Sequence, residues 1–237
     1  MNILITICAR GGSKGIPGKN IKLLNGRPLL YLSINVGKQF AVHHLAEIAL
    51  STDNEEIRDI AFGYGIQTKY SRPKHLANDS AGKVETIADV LLYEEKNRNK
   101  KYDYILDLDI TSPLRNVDDL NAAFEIIKKD PNAINLFSVN VADRNPYFNM
   151  VEQYPNGYYG LVKKGEYLTR QSAPKVFQLN ASFYFFRRAF FDLPFKTVLT
   201  DSSLIYLMPH ICFDLDHPID FEFMEYLIAN DKLGFKL

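Results

Sequence analysis

The stretch that most constrains this chain is the apolar run Ile3-Leu4-Ile5-Thr6-Ile7-Cys8, which leads directly into Ala9-Arg10-Gly11-Gly12-Ser13-Lys14-Gly15-Ile16-Pro17-Gly18-Lys19-Asn20. A short apolar, β-branched run bounded by glycine reads as a buried strand. The glycines after it let the backbone turn tightly and bring several N–H groups toward one anion, while Arg10, Lys14 and Lys19 add positive charge at short reach. A polyphosphate suits such a loop. It is not a Walker A loop, because Gly11 is followed four residues later by Gly15-Ile16 with no Lys-Ser/Thr pair, and it lacks the Gly-x-Gly-x-x-Gly of a dinucleotide site.

Beyond the loop the pattern alternates. Pro28 suits the first turn of a helix with Leu29, Leu32, Ser33 and Val36 on one face and Gly37 near its end. Glu47 to Ser51 reads as a second strand. Thr52-Asp53-Asn54-Glu55-Glu56 then starts a helix with Ile57, Ile60, Ala61 and Tyr64 inward, and Thr52-Asp53 reads as capping. Gly65 to Tyr70 reads as a third strand, Val84 to Leu92 as a helix with Val84, Ile87, Leu91 and Leu92 inward, and Tyr102 to Asp109 as the central strand. Asn116 can cap the helix of Leu120, Ala123, Phe124 and Ile127, and Ala133 to Val141 gives another strand. Such alternation predicts an α/β fold with a doubly wound, mostly parallel sheet, ligands gathering at the carboxyl ends of its strands. Residues 143–178, rich in turns and aromatics and poor in helical periodicity, read as an inserted β arm in a single domain spanning 1–237.

Near the carboxyl end, strand alternation in Cys212-Phe213-Asp214-Leu215-Asp216 points both aspartates to one face, ahead of a helix using Phe221, Met224, Leu227 and Ile228. Paired carboxylates suit a divalent cation, and they equally suit a solvated strand end or a helix cap. Equal numbers of basic and acidic residues, 28 each, leave no general field for nucleic acid or an anionic membrane. Two distant cysteines predict no disulfide framework, and no run is long enough to span a bilayer or act as a leader, so a soluble cytoplasmic protein is expected.

The sequences Ile7-Cys8-Ala9-Arg10-Gly11-Gly12-Ser13-Lys14-Gly15, Lys19-Asn20-Ile21 and Leu24-Asn25-Gly26-Arg27-Pro28-Leu29 resemble the opening of the acylneuraminate cytidylyltransferases, which make CMP-sialic acid and related CMP-nonulosonates. Thr111-Ser112-Pro113-Leu114-Arg115, Arg170-Gln171 and Asn180-Ala181-Ser182-Phe183-Tyr184 resemble further family elements. Asp109 stands where many sialate-activating relatives have glutamine. Asp107-Leu108-Asp109 therefore looks more like the legionaminate-activating branch.

The resemblance implies a CTP-dependent transfer, with CTP as co-substrate and Mg²⁺ as cofactor. It implies nucleotide binding by Ala9, Arg10, Gly11, Gly12, Ser13, Lys14, Lys19, Asn20, Arg72 and Lys83, with Arg72 beside the base. Asp109, Arg170, Gln171, Gln178, Asn180 and Tyr184 become candidates for the sugar, and Asp214 and Asp216 for the metal. Lys19, Arg10, Lys14 and Asp216 would carry catalysis. The 143–178 arm would make a homodimer and reach the partner's site. Two rivals are a CMP-3-deoxy-manno-octulosonate synthetase and a non-catalytic nucleotide-binding regulator.

Overall fold

A computed structural model describes residues 1–12 and 15–237. The expectations placed on Ser13 and Lys14 lie outside the described residues. The chain runs through β1 (Ile3–Cys8), a small hairpin of β2 (Leu23–Leu24) and β3 (Arg27–Pro28), α1 (Leu29–His44), β4 (Glu47–Ser51), α2 (Glu55–Gly63), α3 (Lys83–Arg98) and β5 (Tyr104–Leu108). It continues with α4 (Val117–Lys129), β6 (Asn135–Val141), β7 (Val151–Gln153), β8 (Tyr159–Leu161), β9 (Phe177–Arg187), β10 (Ser203–Leu207) and α5 (Pro218–Ala229).

The main sheet has the order β10-β6-β9-β5-β1-β4. Neighbours β4, β1 and β5 are parallel, as are β6 and β10, whereas β9 is antiparallel to both β5 and β6. Strand β1 is buried on both faces. Ile3, Ile5 and Ile7 pack with residues of α1, α4 and α5, and Leu4 packs with Val84, Ile87, Val90 and Leu91 of α3. Burial on both sides is why these strands are apolar runs rather than alternating ones. The expected doubly wound, mostly parallel sheet is the observed one.

Helix starts follow local chemistry. Asn116 and Asp119 form a reciprocal capping box at α4, and the Asn54 side chain accepts from Ile57 N at 2.9 Å at α2. Several expectations need correction. Gly37 lies in the middle of α1, where a Cβ would approach Leu108 Cδ1 to 3.1 Å, so its role is close helix–sheet packing. Residues 65–70 form no strand; they pair with no strand of the sheet and are anchored by buried Ile66 and Tyr70. Leu92 faces outward and Val90 takes the inward place. Residues 212–216 pair in no sheet and are tied instead by Leu215 N donating to Thr111 O.

In the 143–178 segment β7 and β8 pair as an antiparallel hairpin, turned through Gly157 at φ 87°. Tyr158, Tyr159 and Leu168 are strongly exposed there.

Candidate active site

The cleft opens at the carboxyl ends of β1, β4 and β5. After Cys8 the chain is held beside β4 by Ala9 N donating to Ser51 O, and Gly11 N donates to Asp53 Oδ1 at 2.9 Å. Asp53 thus fastens the glycine-rich loop, while Asn54 is the helix cap; the expected capping role belongs one residue later. Asn20 Nδ2 donates to Arg10 O, closing the loop upon itself. Lys19, on a 3₁₀ turn entered through left-handed Gly18 (φ 62°), reaches the other end of the chain. Its ammonium donates to Leu215 O at 2.6 Å and lies 3.8 Å from Asp216 Oδ1. Gly15 meets the same segment: a Cβ there would run into the Asp216 carbonyl.

A cavity of about 320 Å³ is lined by Arg10, Gly12, Lys19, Asn20, Arg72, Lys83, Asp109 and Thr111, together with Cys8 and the Asn78-Asp79 turn. Arg72 is buried, with Nε donating to Ser51 Oγ and Nη2 to Ser51 O, so it is not a solvated surface charge. Lys83 lies between two acids, 3.1 Å from Asp107 Oδ2 and 2.8 Å from Asp109 Oδ2, with its ammonium 4.8 Å from the centre of the Tyr184 ring. Asp107 also accepts from Thr6 Oγ1, and Asp109 accepts from the Thr111 amide and hydroxyl.

Burial alone would raise the Asp109 pKa, but the adjacent Lys83 charge and the Thr111 bonds overcome it and lower it to about 2. Burial likewise opposes the Lys83 charge, and Asp107 and Asp109 overcome that opposition, holding its pKa well above the usual lysine value. Lys83 and Asp109 are therefore both charged, and buried Asp107 is paired with the same ammonium.

Arg115, fully buried, ties together the carboxyl side of β5. Its guanidinium donates to Ser33 Oγ, Asp109 O, Ser112 O and Ser182 O. Burial lowers its pKa to about 10. This accounts physically for the Thr-Ser-Pro-Leu-Arg run: the arginine fixes the backbone that presents Asp109 and Thr111.

Asp214 and Asp216 differ. Asp216 is exposed, whereas Asp214 Oδ1 is buried without a hydrogen-bond partner, and burial, then repulsion from Asp109, raises the Asp214 pKa to about 7. A cation would relieve both penalties. Among the described residues no group of three His, Cys, Asp or Glu side chains could enclose a metal by itself, so two carboxylates would have to share it with substrate oxygens.

Other expected sugar contacts are dispersed. Gln178 lines a neighbouring cavity of about 500 Å³ with Asp214. The Asn180 amide is used internally: Oδ1 accepts from Ser138 Oγ, and Nδ2 donates to Asn140 Oδ1. Arg170 and Gln171 line a separate cavity on the arm, Arg170 donating to Ala142 O; they do not join the cleft of their own chain. Sequence reasoning did not single out Thr86, which lines the cleft, and it read Asp53 only as a cap, because its bond to Gly11 depends on contact between distant segments.

A doubly wound sheet with a basic glycine-rich loop at its carboxyl edge, facing acids from the far end of the chain, defines a nucleotidyltransferase enzyme. The chain belongs to the cytidylyltransferase family, whose model matches residues 4–228. It is similar to post-translational flagellin modification protein B of Campylobacter coli, 39% identical over 99% of this chain and 98% of that protein. It is also similar to the CMP-N,N'-diacetyllegionaminic acid synthase of Campylobacter jejuni, 37% identical over 98% and 97% of the two chains. In fold it resembles a solved CMP:2-keto-3-deoxy-manno-octonic acid synthetase complexed with CTP, with a TM-score of 0.70, 16% identity, and coverage of 98% of this chain and 100% of that one. Among the described residues no helix is long and apolar enough to cross a membrane.

Proposed function

We propose that this enzyme transfers a cytidylyl group from CTP to the anomeric hydroxyl of a nonulosonic acid of the legionaminate or N-acetylneuraminate type, giving the CMP-sugar and pyrophosphate. The observation that carries the reading is the 3.8 Å approach of the Lys19 ammonium to the Asp216 carboxylate beside the glycine-rich loop. High-coverage similarity to a CMP-N,N'-diacetyllegionaminic acid synthase supports the acceptor class.

In this reading Arg10, the Gly11 and Gly12 backbone, Ser13, Lys14, Lys19 and Asn20 receive the triphosphate. Their positive charge and N–H groups offset the charge that develops as pyrophosphate departs. Arg72 and Lys83 frame the base and ribose side; Asp109 and Tyr184 face the acceptor, with Gln178 beside them. Asp214 and Asp216 would hold Mg²⁺, and the orphaned Asp214 oxygen fits that role. When bound, Mg²⁺ supplies charge stabilisation to phosphoryl oxygens. The exposed aromatic and apolar face of the arm, with Arg170 and Gln171, supports a homodimer in which these two residues serve the partner's cleft. We place the enzyme in the cytoplasm, where CTP is made.

The test offers CTP, Mg²⁺ and a panel of keto sugar acids, following pyrophosphate and CMP-sugar together. Equal amounts of both with a nine-carbon acid are expected. Turnover with only an eight-carbon acid selects the octulosonate rival, and CTP binding without turnover selects the regulator.

A further inference from the structure

In the cleft, two donors at the start of the glycine-rich loop are each engaged by an acid of this same chain. Arg10 Nη1 lies 2.6 Å from Asp79 Oδ1, and the Gly11 amide donates to Asp53 Oδ1 at 2.9 Å. The acids come from different elements: Asp53 precedes α2, and Asp79 lies on the turn leading into α3. Arg10 and Asp79 both line the cavity and are partly open to water, with side chains 32% and 44% exposed.

An ion pair this accessible is held weakly and exchanges at little cost. A phosphate group carries more charge than a carboxylate and matches the guanidinium fork equally well, making it the stronger partner for Arg10. Two anions drawn to the same guanidinium also repel each other across a short distance. Asp79 and a phosphate group therefore compete for Arg10.

We propose that Asp79 is a positioning residue that holds Arg10 while the cleft is free of nucleotide and yields it to a phosphate group on binding. This deepens, and rests on, the reading of the cleft as a triphosphate site. The Asp79 carboxylate keeps the arginine extended and desolvated in part, ready for its ligand. It returns as pyrophosphate departs, so it speeds product release at the expense of affinity. Asp53, bonded to a backbone amide, instead fastens the loop in both states.

The test measures equilibrium binding of inorganic pyrophosphate to the full chain by calorimetry, for wild type, Asp79→Asn, Arg10→Ala and the double variant. Asp79→Asn is expected to bind pyrophosphate about three- to tenfold more tightly, and the gain should shrink at high salt. It should vanish in the Arg10→Ala background, while Asp79→Glu, which keeps the charge, behaves as wild type. In steady state Asp79→Asn should lower the KM for CTP without raising kcat. Pyrophosphate binding by wild type with equal or weaker binding by a folded Asp79→Asn overturns the proposal and leaves the cleft assignment standing. A gain that survives the loss of Arg10 overturns it as well. Failure of wild type to bind either pyrophosphate or CTP overturns the cleft assignment, and the proposal with it.

Discussion

Lys19 and Asp216, from opposite ends of the chain, stand 3.8 Å apart with the Lys19 ammonium bonded to Leu215 O at 2.6 Å. β1, which precedes Lys19, and the strands between the two residues build the sheet that brings these ends together. Lys19 is largely buried while Asp216 is open, so the lysine is fixed in place and the acid is free to engage a ligand. The consequences can be tested at several points.

Gly15 is where the loop touches the segment carrying Asp216, and a Cβ there would strike a backbone carbonyl, which cannot swing aside as a side chain can. Gly15→Ala should displace the loop from the acids, lowering kcat/KM by about 100-fold and lowering the thermal midpoint as well. Gly82→Ala, whose added methyl meets nothing within 4 Å, serves as the control and should keep full activity.

Lys83 neutralises two acids at once, and Asp107 is almost wholly buried. Lys83→Met should cost about 3 kcal/mol in urea unfolding, because it leaves buried charge uncompensated. Adding Asp107→Asn and Asp109→Asn should recover much of that loss. A stability unchanged in the single variant would mean the acids are solvated.

His210 Nε2 pairs with Asp119 Oδ2 at 2.9 Å, and its ring stacks on Phe235. Burial disfavours the charged ring, but the Asp119 hydrogen bond and the Ile211 carbonyl outweigh it, raising its pKa above the ordinary 6.5. The folded state therefore binds the proton more tightly than the unfolded chain. The resulting stability is fully present below pH 6.5 and is lost as pH rises through the folded-state pKa. Denaturant midpoints measured across that window should fall for wild type and stay flatter for His210→Gln.

Burial, reinforced by the Asp107 charge, pushes the Cys8 thiol up to about 12, and burial also raises the Cys212 thiol. Neither is a ready thiolate at neutral pH. Native protein at pH 8 should therefore react slowly with a disulfide reagent, and unfolding in urea should release both thiols. Rapid reaction of the native chain would contradict the raised thiol pKa values of Cys8 and Cys212.

Features that depend on local chemistry were readable in the sequence. β1 was legible because burial on both faces demands a continuous apolar run, and α4 because Asn116 with Asp119 spells out its own start. Partners distant in sequence were not legible. Asp53 looks like a cap until the fold brings Gly11 to it, and Asn180 looks like a sugar ligand until Ser138 and Asn140 occupy its amide. Residues 65–70 have strand composition but lack a neighbouring strand to pair with. The hairpin of β2 and β3 had a usable signal, since Asn25-Gly26 takes positive φ at both residues, the geometry a tight two-residue turn requires.

The central claim is that charge from the two ends of the chain acts on one triphosphate, and pyrophosphate release by Lys19→Met, compared with wild type at saturating CTP and acceptor, tests it most directly. Removing a cation that offsets transition-state charge should lower the rate at least ~100-fold in a protein that still folds. A folded Lys19→Met variant that releases pyrophosphate at the wild-type rate would contradict the account.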